Sequence, residues 1–209
     1  LSYGVFDSTG WIGGEEDSID SARRKGARVV NMSYGPLTSG VLAGFSSLRI
    51  MGAAKNRFIV FVKAAGNDGV DLLSLRFATN FRAWKKLRNL IVVGSVDRNL
   101  QISRFSNTPG ARCFKSRLDS KCKKRNQFKY YFVVAPGENI KGGRGGSDGG
   151  YVLSTGTSMA APHVTGVVAL LQGYWPVLKK RPGSVTNIIF HTAQDLGAKG
   201  VDPIYGWGL

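Results

Sequence analysis

Gly156-Thr157-Ser158-Met159-Ala160-Ala161-Pro162-His163-Val164 runs without a break into Thr165-Gly166-Val167-Val168-Ala169-Leu170-Leu171. The stretch opens on small residues and a hydroxyl and is then apolar on every side for about three turns, a pattern that predicts a helix buried all round. Pro162 suits a helix only in its first turn, where the missing N–H has no intrahelical partner, so the helix is expected to start close to Ser158. A serine at the positive end of a buried helix suits two roles. It can cap the helix, or it can be a nucleophile whose developing oxyanion is held by the backbone N–H groups there. Chemistry alone leaves both open.

Outward from this helix, strand and helix patterns alternate, as in an α/β fold of three layers with a mostly parallel sheet flanked by helices. Leu1-Ser2-Tyr3-Gly4-Val5-Phe6 reads as a short strand and Asp7-Ser8-Thr9-Gly10 as a turn. Residues 15–25 are helix-compatible, with Ile19 and Ala22 three apart and Gly26 as the stop. Residues 28–33 are expected to be a buried strand, and residues 41–54 a helix through Leu42, Phe45, Leu48 and Met51. Further strands are predicted at 58–62, 90–94 and 132–136. A last helix is predicted at 184–193, with Val185, Ile188 and Ile189 facing inward. There is no internal repeat and no low-complexity tail.

The 209 residues suffice for one large domain with a sizeable core. Lys and Arg number 29 against 13 acidic residues, a formal charge of +16. Such a charge attracts polyanions but says nothing about the fold. No apolar run is long enough for a transmembrane helix, and no nucleotide loop, zinc spacing or calcium loop is recognisable. Leu1 opens the chain as if in mid-strand, and the chain is therefore expected to be a fragment.

The segment from Gly156 to Val164 is similar to the serine motif of the subtilisin-like serine proteases, the subtilases. Two more blocks occur in that family's order. Val29-Val30-Asn31-Met32-Ser33-Tyr34-Gly35 resembles the strand whose edge pairs with substrate backbone, which implies a substrate role for Ser33, Tyr34 and Gly35. Ala64-Ala65-Gly66-Asn67-Asp68-Gly69 resembles the block whose asparagine donates to the oxyanion. The resemblance implies Ser158 as nucleophile and Asn67 as oxyanion donor beside the Ser158 N–H. It also implies Ala64, Ala65 and Gly66 as a small-residue wall of the pocket for the substrate side chain. Asp68, at the pocket mouth, is expected to favour Lys or Arg modestly. Phe105-Ser106-Asn107 and Val134-Ala135-Pro136-Gly137 resemble structural turns flanking the site. The ending, residues 192–197 and 205–209, resembles the protease domains of bacterial autotransporters. A secreted or cell-surface location follows from the resemblance; calcium enters only through it too, with no ligand set to transfer.

The departure from the family concerns the other two members of its Asp, His, Ser triad. The histidines here are His163, inside the serine helix, and His191, in the last helix. Neither sits in a His-Gly-Thr-His type of block. Asp7 superficially resembles the aspartate block, but only 23 residues separate it from Asn31, with no histidine among them, and a turn residue is the better reading. The catalytic Asp and His are thus expected upstream of Leu1. Two functions stay open. One is a serine endopeptidase acting on polypeptides through a Ser-His-Asp mechanism. The other is a non-catalytic module on the same fold that binds peptides or polyanions.

Cys113 and Cys122 enclose eight residues within a basic segment, 112–125. A close pair in a secreted protein is expected to form a disulfide. The segment's charge is a solvated face or a docking site for an anionic surface, with no sign of specific nucleic-acid recognition.

Overall fold

Strands that are apolar at every position belong in a parallel sheet covered on both faces. β4 (Val60–Ala64) and β5 (Leu90–Val96) have that character, and every residue of both is buried. The computed structural model describes residues 6–7, 10–11, 14–34, 53–72, 88–113, 124, 127–144 and 149–209. Among these, β3 (Val29–Met32), β4, β5 and β6 (Phe132–Pro136) form a four-stranded sheet in chain order, every pair parallel. Successive side chains point to opposite faces. Val60, Val62 and Ala64 therefore pack with Ile91, Val93, Val133 and Ala135 on one side, beneath α2 (Thr157–Tyr174) and α3 (Pro182–Thr192). Phe61 and Ala65 pack on the other with Val92, Val96 and Phe132, together with Ile19, Phe128 and Tyr205. Ile19 comes from α1 (Glu15–Arg24), and Phe128 from a short 3-10 turn at Phe128–Tyr131. Helices on one face, sheet, then α1 and the chain's last turns on the other give the three layers.

The two edges of the sheet differ. Beyond β6 the chain's end is laid down as a partner, with Trp207 N–H donating to Phe132 O at 2.9 Å and Val134 N–H to Gly208 O at 2.8 Å. Gly206 permits this approach: its φ is +63°, and a Cβ there would stand 2.8 Å from the Phe132 carbonyl carbon. At the opposite edge β3 has β4 alone as a sheet partner among the described residues.

Local signals account for most boundaries. α1 stops where Gly26 takes φ +89° and its N–H turns back to Arg23 O at 3.0 Å. Ile19 and Ala22 are its buried residues, as their spacing predicts. β1 (Phe6–Asp7) and β2 (Gly10–Trp11) pair antiparallel, which places Asp7 at the end of a strand, opposite Gly10.

Four expectations are corrected, and one pair of strands was not expected. The strand expected to be buried at 28–33 is shorter and only partly covered, because it is an edge strand with Asn31 exposed. The strand expected at 58–62 runs two residues later and carries a buried lysine, Lys63. α2 begins at Thr157, which puts Pro162 at its sixth position, beyond the first turn, and deletes the bond residue 162 would make to Ser158 O. The helix tolerates this because Pro162 lies on its exposed side. Nor is α2 buried all round. Leu170 and Tyr174 are 74% and 78% exposed, while Ala160, Ala161, Val164 and Val168 hold the buried face. Finally, β7 (Ile140–Gly143) and β8 (Tyr151–Ser154) make an antiparallel hairpin without a recognised sequence signal. The helix expected at 41–54 lies outside the described residues, apart from a 3-10 turn at Ala54–Asn56.

Candidate active site

Sites in parallel sheets form in the loops that follow the carboxyl ends of the strands. Two such loops meet here. One leaves β4 through Ala64, Ala65 and Gly66 to Asn67. The other leaves β6, passes the β7–β8 hairpin and returns at Gly156, whose N–H donates to Gly137 O at 2.8 Å. From there α2 starts, with Thr157 first and Ser158 second.

Asn67 and Thr157 are joined twice. Asn67 Oδ1 accepts from Thr157 N–H at 2.9 Å and from the Thr157 hydroxyl at 2.8 Å. The Thr157 hydroxyl in turn accepts from Gly66 N–H at 3.1 Å. Because a backbone N–H can only donate, the side-chain atom facing it must be the carbonyl oxygen of the amide. The Asn67 NH₂ therefore points the other way. Gly156 shows where. A Cβ on Gly156 would stand 3.3 Å from Asn67 Nδ2 and 3.8 Å from Ser158 N. Asn67 Nδ2 is thus the nearest polar atom to the space over Gly156, with Ser158 N and Asn67 Oδ1 each at 3.8 Å, and Gly156 holds φ +151°, a conformation that L side chains rarely adopt. Two preorganised donors at the start of a helix can stabilise a negative charge developing beside the Ser158 hydroxyl.

Ser158 itself is half-buried, and its hydroxyl has no hydrogen-bond partner among the described residues. Neither histidine serves it. His163 Nδ1 lies 2.9 Å from Met159 O, one turn back on its own helix. His191 packs edge-on against Trp207 at 4.7 Å, and Trp207 is bonded to Phe132, the first residue of β6, at the far end of the sheet from Ser158.

The substrate segment expected at Ser33, Tyr34 and Gly35 follows β3. Ser33 and Tyr34 are half-buried, and Gly35 lies outside the described residues. Asn31 ties this segment to α2: its Nδ2 donates to Ser33 Oγ at 2.9 Å, and its Oδ1 accepts from Thr165 Oγ1 at 3.0 Å. Beneath it, the Lys63 ammonium donates to Tyr34 O and sits 5.0 Å from the centre of the Tyr34 ring. The wall residues divide: Ala64 and Ala65 are buried on opposite faces of the sheet, and Gly66 is half-buried with φ +101°. Asp68 is exposed, and its Oδ2 accepts from Asn107 Nδ2 at 3.0 Å, which draws the carboxylate toward that side chain.

Thr157 holds Asn67 and Asn107 holds Asp68, yet the sequence alone gives neither a role at the site. Thr157 was quoted only within the serine motif and Asn107 only as part of a turn. The one available signal was their place in recognisable blocks. In the basic segment 112–125, Arg112 lies 3.6 Å from Asp71, Lys124 lies over the Tyr130 ring and Cys113 is disulfide-bonded. Cys122, the sequence's other cysteine, lies outside the described residues. Among the described residues no three His, Cys, Asp or Glu side chains are placed to hold a metal ion.

The family model for the subtilase family matches residues 1–208. The extracellular serine protease of Serratia marcescens is 29% identical over 194 residues, covering 83% of this chain and 17% of its own. Subtilisin BL of Lederbergia lenta is 29% identical over 210 residues, covering 97% of this chain and 61% of its own. Among solved structures, a lanthipeptide protease superposes with a TM-score of 0.69 at 27% identity, over 99% of this chain and 66% of that one. The chain thus spans a minor part of the first relative and about three-fifths of the second.

Proposed function

Because this chain belongs to the subtilase family, we propose that it is the part of a secreted or cell-surface serine endopeptidase that carries the nucleophile and the oxyanion hole. Ser158 Oγ attacks the carbonyl carbon of a peptide bond, and its proton passes to a histidine base supplied from sequence outside residues 1–209. An aspartate from the same outside region orients that histidine. The tetrahedral oxyanion receives hydrogen bonds from Asn67 Nδ2 and Ser158 N–H. The histidine then returns the proton to the leaving amine, and water hydrolyses the acyl-enzyme by the same route. Substrate lies extended along Ser33, Tyr34 and Gly35, with its side chain against Ala64, Ala65 and Gly66. Residues 1–209 are on this reading the part of the domain that lacks the Asp and His blocks.

The observation that supports this reading is the pair of hydrogen bonds from Thr157 to Asn67 Oδ1, with Asn67 Nδ2 and Ser158 N both within 4 Å of a Cβ placed on Gly156. A peptide- or polyanion-binding module needs no such pair. One observation favours that second reading, namely that His163 and His191 are both engaged away from Ser158.

Fluorophosphonate labelling separates the two. The longer protein containing residues 1–209 should label at Ser158 and hydrolyse peptides, and Ser158→Ala should abolish both. The isolated 209-residue chain should label far more slowly, since a serine hydroxyl without a base is a poor nucleophile. Absence of Ser158-dependent labelling in the longer protein would leave only the binding module.

A further inference from the structure

The Asn67 loop is held on both sides of Asn67 by one side chain that the proposed chemistry does not use. Asn107 is fully buried. Its Nδ2 donates to Ala65 O at 3.1 Å and to Asp68 Oδ2 at 3.0 Å. Its Oδ1 accepts from Asp68 N–H and Val70 N–H, each at 3.1 Å. Its own backbone N–H donates to Gly66 O at 3.0 Å. The amide's two hydrogens and both oxygen lone pairs are all spent on residues 65, 68 and 70. The backbone adds residue 66, so Asn67 is bracketed before and after.

The fit leaves no slack. A Cβ on Gly66 would stand 2.5 Å from Asn107 Nδ2, so only glycine lets the loop close onto this amide. The neighbouring backbone continues the join: Gly69 N–H donates to Phe105 O at 2.8 Å, and Leu72 N–H to Thr108 O at 2.9 Å. Behind Asn107, Ser106 Oγ accepts from Ser95 N–H at 3.0 Å, which anchors the segment to the end of β5. The clamp therefore connects a rigid strand to the loop.

We propose that Asn107 is the positioning residue of the oxyanion hole, the side chain that fixes the 65–70 loop so that the Asn67 NH₂ stands beside the Ser158 N–H. The inference rests on the protease reading above. Asn107 touches no reacting atom. It acts through Asn67, and displacing a group at a site by about 1 Å costs on the order of 10²-fold in rate.

Three measurements test it. First, hydrogen exchange on the longer protein carrying Ser158→Ala reads the clamp without any proteolysis. Asn107→Ala should speed exchange at the Asp68 and Val70 amides, which lose their acceptor, while the Val92 and Val93 amides in the middle of β5 stay protected. Equal speeding at all four would mean a general loss of stability and overturn the clamp. Second, in the longer protein, with kcat counted per titrated active site, Asn107→Ala should lower kcat about 10²-fold and change KM little. A residue that merely stabilises the fold would reduce the number of sites and leave kcat per site alone. Third, in an Asn67→Ala background the same substitution should cost almost nothing more, because the donor it positions is already gone. Unchanged kcat per site, or a full 10²-fold loss in the Asn67→Ala background, overturns the proposal while the protease reading stands. A longer protein without Ser158-dependent turnover overturns both, whatever the exchange data show.

Discussion

Thr157 decides which way the Asn67 amide faces, because its N–H and its hydroxyl both engage Asn67 Oδ1. Thr157→Val keeps the shape and the backbone bond but removes the hydroxyl, leaving Gly66 N–H without its acceptor at 3.1 Å. We expect kcat of the longer protein to fall about 10-fold, which corresponds to about 1.4 kcal/mol of transition-state stabilisation, with KM little changed. Thr157→Ser should keep most of the activity. Gly156→Ala puts a methyl group 3.3 Å from Asn67 Nδ2 on a backbone at φ +151°, and should cost more than Thr157→Ser in both turnover and melting temperature. Equal kcat for Gly156→Ala and the parent would show that the space over Gly156 is not where charge develops. The sequence points to Asn67 and Ser158 as candidates because they sit in recognisable blocks. The bonds that aim Asn67 join residues 90 positions apart, and no local pattern reports such a pairing.

Elements were legible where burial is symmetrical and obscure where it is not. Strands at 90–94 and 132–136 could be read because both faces are covered, so an unbroken apolar run has one meaning. α2 misled for the complementary reason. Its outward residues, Val167, Leu170 and Tyr174, are as apolar as its inward ones, and an apolar helix in isolation does not reveal which face the protein covers. β7 and β8 were missed because their residues are mostly exposed, so the inside-outside alternation that marks a half-buried strand is lacking. At α1 the contacts are polar. Lys55, from the 3-10 turn, donates to Asp20 at 2.7 Å and to Glu16 at 3.0 Å. The hydrogen bond from Lys55, aided by the charges of Lys55, Arg23 and Arg24, holds the Asp20 carboxyl below its usual range. Those of Asp20 and Glu16 hold the Lys55 ammonium above its own. A carboxyl lowered on folding stabilises above its unfolded pKa, and this is lost as pH falls through the folded value. A raised lysine stabilises below its unfolded pKa, and this is lost as pH rises through the folded value. The pair therefore works across neutral pH. Asp20→Asn should lower the melting temperature slightly at about pH 7, less in high salt, and not at all at about pH 2. An equal effect at both pH values would rule out the ion pair as its cause.

For the whole molecule the telling feature is the contrast between two sides. At β6 the chain's own last residues complete the sheet edge. At β3 the edge has no sheet partner beyond β4 among the described residues, and the adjoining helix α2 turns an apolar stripe outward. Thr165 and Asn31 bond where α2 meets β3, and at about 3.6 residues per turn Leu170 and Tyr174 lie on the side of α2 opposite Thr165, so the strand edge and the apolar stripe are two separate surfaces. The exposed apolar side chains of α2 are by themselves a surface on which another polypeptide can pack. Under the protease reading, that stripe is expected to be covered by the outside segment that brings the base to Ser158 at the start of α2. Each large side chain covered would contribute about 1.5–3 kcal/mol. In the isolated 209-residue chain the same surface should drive association between copies, opposed by the formal charge of +16. Salt screens that repulsion, so association should strengthen as ionic strength rises, the reverse of what docking to a polyanion would give. Sedimentation velocity at low and high salt measures this, and Leu170→Lys with Tyr174→Lys should restore the monomer. In the longer protein the same two lysines would sit beneath the covering segment. Residue 170 lies 12 positions beyond Ser158, roughly 18 Å along the helix at 1.5 Å per residue, too far to touch a reacting peptide bond. A loss of turnover in that double variant, together with a lowered melting temperature, would therefore report packing. Full activity with both lysines in place would mean that the base reaches Ser158 by a route that leaves α2 uncovered.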